Sequence, residues 1–423
     1  MSGCSTRRIP RRFVLGAIAA FALARGVSAA PSAGPLTLLR PQPGGETAAS
    51  LAWRVCPGAE GSALVLAALP AAGRPAVTLR FSRPMAGCQV TSEVMPGPNG
   101  RHLLLVRLKV PSGARPGRYE GLLVVRCGPS ASRLRLAAEV QPFELMRPSK
   151  QYAVSRVPVT AADWRVPERA DAGALRRLRE IGIGALCLDA APADRSALES
   201  MMQTAGLRGP VLTPVEPSPT RRPSPVSAAA PIRWYAWCAA GPPAPAALAA
   251  LQAGGVRVAC PLDDPEAVSG VDLPVFAAGG ACGARLLRRD HPPGPGTAGW
   301  WRWDAGAATA LENRLRCGAL LWKSSLSGAL VEISPDAPAR PDWPLRWEGV
   351  REGVLDSRCL TTLFALIRQV KDKDRSSLLP GKAEVAAAAA LNRIVEHPSL
   401  EAADRLRALV ITWILRLGRM VWS

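Results

Sequence analysis

At Pro148 the sequence changes its period, and that change constrains the fold more than any other feature of the chain. Upstream, short apolar or alternating runs at 62–66, 76–81, 102–110, 119–126 and 132–140 are punctuated by Gly, Pro and Asn, as in Pro96-Gly97-Pro98-Asn99-Gly100. Strand side chains alternate between two faces, so runs of this length and spacing predict an antiparallel β-sandwich over 35–148. Downstream, strand-like segments at 152–159, 185–188, 211–212, 232–238, 256–260, 273–277 and 329–333 interleave with helical patterns at 171–181, 195–205, 245–252 and 305–323. Such alternation predicts a parallel sheet covered by helices: a compact (β/α)8-like (TIM) barrel over 150–345. Helical periodicity at 345–372, 383–396 and 400–421 predicts a helical C-terminal tail over 345–423 that packs on the barrel. The Pro-, Ser- and Arg-rich stretch 217–231 reads as a loop inserted between barrel strands.

The N-terminus reads as an export address. Arg7, Arg8, Arg11 and Arg12 precede an apolar stretch over 14–24 and the small-residue site Val27-Ser28-Ala29, the pattern of a cleaved secretory signal over 1–30. Arg11-Arg12-Phe13-Val14-Leu15 resembles a bacterial twin-arginine signal, which a receptor reads rather than lipid. A periplasmic, extracellular or envelope location follows as the expectation. No run approaches the roughly 18–20 apolar residues of a membrane span, so the mature chain is expected to cross no bilayer.

The formal charge of +20 raises the question of a nucleic-acid partner. Only six of the 53 basic residues are lysine (109, 150, 323, 371, 373 and 382), and the arginines are scattered rather than run together. With 41 Pro, 38 Gly and abundant Ala, this arginine-for-lysine usage fits a GC-rich coding bias. Three Tyr and six Phe leave little for base stacking, so no nucleic-acid partner is expected. An acidic polymer of the cell envelope is the remaining partner for such a surface.

Beyond Cys4, cysteines stand at 56, 88, 127, 187, 238, 260, 282, 317 and 359, with only His102, His291 and His397 and no CxxC. Zinc requires closely spaced Cys and His ligands, so neither a metal nor a cofactor is expected. Cys56, Cys88 and Cys127 share the sandwich, which allows one disulfide; Cys187, Cys238 and Cys260 end apolar strands and read as small core residues.

Two stretches resemble a known family. Leu108-Lys109-Val110-Pro111, Arg115-Pro116-Gly117-Arg118-Tyr119-Glu120-Gly121 and the exit Val140-Gln141-Pro142-Phe143-Glu144-Leu145 are similar to the hairpin of a sandwich that precedes certain bacterial glycosidase barrels. More specific are Glu312-Asn313-Arg314 to Trp322-Lys323, then Gly328, then Leu345-Arg346-Trp347-Glu348-Gly349-Val350-Arg351-Glu352-Gly353-Val354-Leu355-Asp356-Ser357-Arg358. These resemble signatures of glycoside hydrolase family 123-like proteins and their associated C-terminal domain of unknown function. The resemblance implies a sandwich, a barrel and, in active members, hydrolysis of N-acetyl-hexosaminides. There the sugar's own acetamide oxygen attacks the anomeric carbon; an Asp orients it and an adjacent Glu protonates the leaving oxygen, an exception to the two-carboxylate scheme.

The family motif is an aromatic strand ending in Asp-Glu-Pro. Its counterpart here is Trp234-Tyr235-Ala236-Trp237-Cys238-Ala239-Ala240-Gly241-Pro242, which keeps the proline and lacks both carboxylates at Ala240-Gly241. The expectation is a diverged or inactive member that binds carbohydrate. The alternative is an active glycosidase using Asp263 and Asp264 of Asp263-Asp264-Pro265-Glu266, or Asp189 or Glu216, all near strand ends where a barrel places its chemistry. Asp263 or Asp264 serves equally as a helix N-cap, and Asp189 and Glu216 as solvated loop carboxylates. A third reading is an envelope structural or interaction protein. Nine of the 12 Trp lie between 164 and 347; Tyr235, Trp237, Trp300, Trp301 and Trp303 are candidates for stacking on sugar rings. Arg314 is a candidate for binding substrate, with a structural ion pair to Glu348 or Glu352 as its competing role.

Overall fold

The computed structural model describes residues 36–38, 50–67, 75–82, 87–96, 102–127, 130–159, 163–214, 232–264, 270–288, 299–324 and 326–422. The stretch 1–30 read as an export signal, Glu216, Glu266 and the segment 217–231 lie outside the described residues, as does the side chain of Cys127.

Strands β1 (Leu36–Leu38), β2 (Ser50–Val55), β3 (Glu60–Ala67), β4 (Ala76–Phe81), β5 (Gln89–Pro96), β6 (His102–Lys109), β7 (Gly117–Cys127) and β8 (Ser130–Val140) form two four-stranded sheets, ordered β1-β3-β6-β5 and β2-β8-β7-β4. Their alternating inner side chains, among them Trp53, Val65, Leu104, Val106, Leu123, Val125 and Leu136, meet in one core. One pair departs from the antiparallel expectation: β2 runs parallel to β8. No hairpin joins β2 to β8. Instead β2 turns at Gly58, whose φ of 71° is left-handed, and passes into β3 of the opposite sheet, so nothing forces antiparallel pairing.

Strands β9 (Gln151–Val154), β10 (Ala185–Cys187), β11 (Val211–Pro214), β12 (Trp234–Trp237), β13 (Val258–Leu262), β14 (Leu273–Ala277), β15 (Trp300–Asp304) and β16 (Gly328–Glu332) pair in chain order, all parallel, and β16 closes on β9. Helices α1 (Ala172–Ile181), α2 (Arg195–Ala205), α3 (Pro245–Ala253), α4 (Gly280–Arg288), α5 (Ala310–Cys317) and α6 (Ala319–Lys323) supply crossovers. The helices α7 (Trp343–Lys373), α8 (Leu379–Glu396) and α9 (Leu400–Val421) complete the chain. Local chemistry fixes several ends. Asp171 and Asp194 accept from the Ala174 and Ala197 amides at the starts of α1 and α2, and Gly182 and Gly206, at φ 98° and 76°, stop them.

Two elements differ from the sequence expectation. Trp300–Asp304 is a barrel strand with charged residues at its end, where the sequence pattern marked no strand. The helix expected over 305–323 begins only at Ala310, after a capping box between Thr309 and Glu312, and breaks at Gly318. There a Cβ would stand 3.0 Å from the Gly353 carbonyl of α7, so the break lets α5 and α6 bend around that helix.

Candidate functional site: the barrel mouth

Residue parity sorts the barrel side chains. Ala153, Cys187, Leu212, Tyr235, Trp237, Ala259, Val275, Trp300 and Leu330 pack along the axis, whereas Tyr152, Leu186, Trp234, Trp301, Trp303 and Val331 face the surrounding helices. The same alternation carries Arg302 and Asp304, after Trp300, and Glu332, after Leu330, to the C-terminal end of the axis. In (β/α)8 barrels that end is where reactions occur. Asp304 and Glu332 are register partners on adjacent strands, and Arg302 Nη1 lies 3.5 Å from Glu332 Oε1. Asp304 Oδ1 accepts from the Gly306 amide at 2.7 Å and from Ser334 Oγ at 3.4 Å, which holds it at the rim. Burial raises the Glu332 pKa; Arg302 opposes the rise and the Asp304 charge adds to it, leaving Glu332 easier to protonate than a free carboxyl.

The rim continues across β9 and β10. Arg156 donates from Nε to the Ile333 carbonyl at 3.2 Å, and its Nη2 lies 3.6 Å from Asp189 Oδ2. Just beneath, burial pushes the Cys187 thiol up to about 12, with the Glu332 and Asp189 charges adding to the effect. Such a thiol stays protonated and unreactive. The charged side of the mouth therefore spans β15, β16, β9 and β10. The opposite side, at β12, presents Tyr235 and Trp237 and then an exposed turn, Ala239-Ala240-Gly241, without a carboxylate. Among the described residues no cluster of His, Cys, Asp and Glu could hold a metal ion.

Of the sequence candidates, Asp189, Tyr235 and Trp237 stand at this end of the ring, as does Asp263, which continues the inward parity of Ala259 past the end of β13. Asp263 and Asp264 follow β13, three strands away from β10 along the ring, and Asp264 Oδ1 is engaged by Arg285 Nη1 of α4 at 3.2 Å. Trp300 starts its strand and fills the barrel interior, close enough that Gly328 has no room for a Cβ beside its indole nitrogen. Trp301 and Trp303, 0% and 6% exposed, point outward into the barrel–helix core, where Trp303 Nε1 donates to Asn313 Oδ1 at 2.8 Å. A strand buried on both faces turns successive residues in opposite directions, so the Trp-Trp-Arg-Trp run cannot line one cleft. Arg302, Asp304 and Glu332 were missed because they end strands whose apolar bodies hide the parity; the signal available was a charged residue two positions after an inward-facing one.

Arg314 belongs elsewhere. It is wholly buried, with Nε 2.8 Å from Asp356 Oδ2 and Nη1 2.6 Å from Asp404 Oδ1. Its partners are not the Glu348 and Glu352 expected from the sequence. Glu348 instead accepts from Arg107 of β6 at 2.8 Å, and Glu352 accepts from Arg407 of α9 at 2.6 Å and from Ser62 of β3 at 2.7 Å. Gly349 and Gly353 let α7 touch α5, since a Cβ on either would strike the Ala310 or Arg314 carbonyl. Asn313 donates to the Ala305 and Arg346 carbonyls, both at 3.0 Å. The conspicuous motif at 345–358 is thus largely a buried polar junction joining sandwich, barrel and C-terminal helices, and only its first turn nears the rim, where Arg346 donates to the Gly306 carbonyl at 2.9 Å.

The fold is a closed (β/α)8 barrel behind an N-terminal sandwich, with polar groups at the C-terminal mouth. The chain has the fold of a family 123 glycoside hydrolase from Clostridium perfringens, a protein whose structure was analysed for glycolipid glycan hydrolysis. The TM-score is 0.53 over 89% of this chain and 94% of that one, at 12% identity. No protein-family model and no curated protein matches the sequence.

Proposed function

We propose that the chain is an exported carbohydrate-binding protein on a family 123-like scaffold, and that the family's hydrolytic step is lost at β12. The observation that carries this reading is the end of that strand. β12 is fourth in the barrel, its Tyr235 and Trp237 face inward, and its exit turn offers only Ala239, Ala240 and Gly241 where the family motif places the acetamide-orienting Asp and the acid Glu. A methyl group or hydrogen neither orients an acetamide nor donates a proton. Tyr235, half-buried, remains as an aromatic ring that can meet a sugar, with the buried Trp237 packed on the axis beside it. The sequence pattern at 1–30 supports export, and among the described residues no helix is long and apolar enough to cross a membrane. The test is glycan-array binding alongside incubation with aryl N-acetyl-hexosaminides. Binding without turnover, lost in Tyr235→Ala, supports the proposal; turnover by the wild-type chain overturns it.

One observation favours a second reading, an active glycosidase with a relocated site. Asp304 and Glu332 stand side by side with Arg302, and Glu332 has the raised pKa that a general acid needs. Hydrolysis that is abolished in Glu332→Gln and kept in Asp264→Asn would establish this reading in place of the first.

A further inference from the structure

The two outer faces of the sandwich are used differently. The outer face of β1-β3-β6-β5 is turned into the molecule: Met95, Leu103 and Leu105 pack with Leu345, and Arg107 meets Glu348. The outer face of β2-β8-β7-β4 is exposed, and its register gathers arginines. Arg135 of β8 lies opposite Leu122 of β7, which lies opposite Arg80 of β4. Arg133 lies opposite Val124, and Arg126 lies between Ala131 and Ala76. Arg80, Arg126, Arg133 and Arg135 are all exposed, and none makes an ion pair with a described carboxylate. The face's two carboxylates sit toward its other end. Glu139 lies 3.3 Å from Arg54 and Glu120 lies 3.4 Å from Arg118. Strand geometry spaces the unpaired guanidinium stems about 7 Å apart along β8 and about 10 Å across β7.

Coding bias inserts arginine without regard to face, yet here four arginines without an ion-pair partner among the described residues share one sheet face. We infer that this face docks an acidic polysaccharide, a glycan chain bearing carboxylates or sulfates. Guanidinium groups accept such oxyanions in bidentate pairs, and like charges at this spacing repel until a polyanion neutralises them. The surroundings favour this partner. Among the described residues the large exposed apolar side chains are Met146, Leu378, Val385, Leu400 and Trp422, none on this sheet, so the face has charge without the apolar anchors that insert into a bilayer. No aromatic ring on the face offers a platform for nucleic-acid bases. The inference does not depend on the barrel mouth and takes from the proposed function only the exported setting in which such polymers occur.

The test is binding of the full chain to immobilised polygalacturonate, and separately to dextran sulfate, across a salt series. Four contacts to a single-chain polyanion predict a log–log salt slope of about −3. The variant Arg80→Gln, Arg126→Gln, Arg133→Gln, Arg135→Gln should bind at least tenfold more weakly and flatten that slope, while Arg54→Gln, Arg118→Gln has a much smaller effect. Retention on either polymer supports the inference, and the difference between them assigns carboxylate or sulfate. Unchanged binding in the fourfold variant overturns it. So does equal retention on neutral dextran, or phosphatidylglycerol vesicles or single-stranded DNA binding more tightly through the same four arginines. A neutral N-acetyl-hexosamine oligosaccharide should not compete; competition would move the binding to the barrel mouth and overturn the inference while leaving the proposed function standing.

Discussion

Replacing Arg314 by Met tests whether the buried junction holds the C-terminal helices to the barrel. The substitution removes a guanidinium with no solvent exposure and leaves Asp356, with 5% of its side chain exposed, and Asp404, with 22%. Breaking a buried pair from one side costs about 3–5 kcal/mol, because the surviving charge stays desolvated. Asp356 keeps Arg407 at 2.6 Å and Asp404 keeps some water, which places the cost near the lower end, about 3 kcal/mol. At about 2–4 °C per kcal/mol for a large domain, the thermal midpoint falls by roughly 6–12 °C. Urea and thermal unfolding followed by tryptophan fluorescence report on the junction through Trp413 on α9 and Trp322 on α6, both packed in its apolar core. The comparison is Arg405→Met, whose pair with Glu401 is exposed on both sides and costs less than about 1 kcal/mol. If Arg314→Met is no more damaging than Arg405→Met, the burial argument is wrong. The double variant Arg314→Met, Asp356→Leu should recover little, because it also strips the largely buried Arg407 of its partner at 2.6 Å.

Two carboxylates give opposite pH responses. Burial raises the Glu348 pKa, but Arg351 and Arg107 outweigh it and hold the carboxyl below its usual range. Its stabilisation is therefore complete above the unfolded value and lost as pH falls through the lower folded one, so urea midpoints between pH 6 and 3 should drop more steeply in wild type than in Glu348→Gln. Glu332 is raised, so its ionisation destabilises the fold as pH rises through the folded value; Glu332→Gln should gain stability over wild type at pH 7 relative to pH 4, measured the same way. Gly353→Ala, which drives a Cβ into the Arg314 carbonyl, should cost about 1–3 kcal/mol or more in thermal melts. Gly381→Ala, with open space around the Cβ inside α8, should instead add about 0.4–1 kcal/mol.

Much of the architecture is written locally. The apolar runs with Gly and Pro between them, Asp171 and Asp194 as helix starts, and Gly182 and Gly206 as helix stops make the sandwich, the barrel rhythm and the C-terminal helices legible, because each is decided within a few residues. Trp300–Asp304 was not legible as a strand. Its four large side chains and charged end match neither alternation nor helical periodicity until both faces of the barrel wall are known to be buried.

The sequence by itself determined the order of the parts and the missing carboxylates at Ala240-Gly241, since an absent functional group needs no tertiary context to be recognised. It also singled out the motif around Arg314 and 345–358, but not what that motif does. Only the tertiary structure decided that these charges meet one another in a buried junction, that Trp301 and Trp303 turn away from the axis, and that Arg302, Asp304 and Glu332 converge at the mouth. The physical reason is common to all three. Inward or outward facing is set by strand register around a closed ring, and an ion pair is set by contacts between residues up to hundreds of positions apart, such as Arg107 and Glu348. Neither is encoded in local pattern.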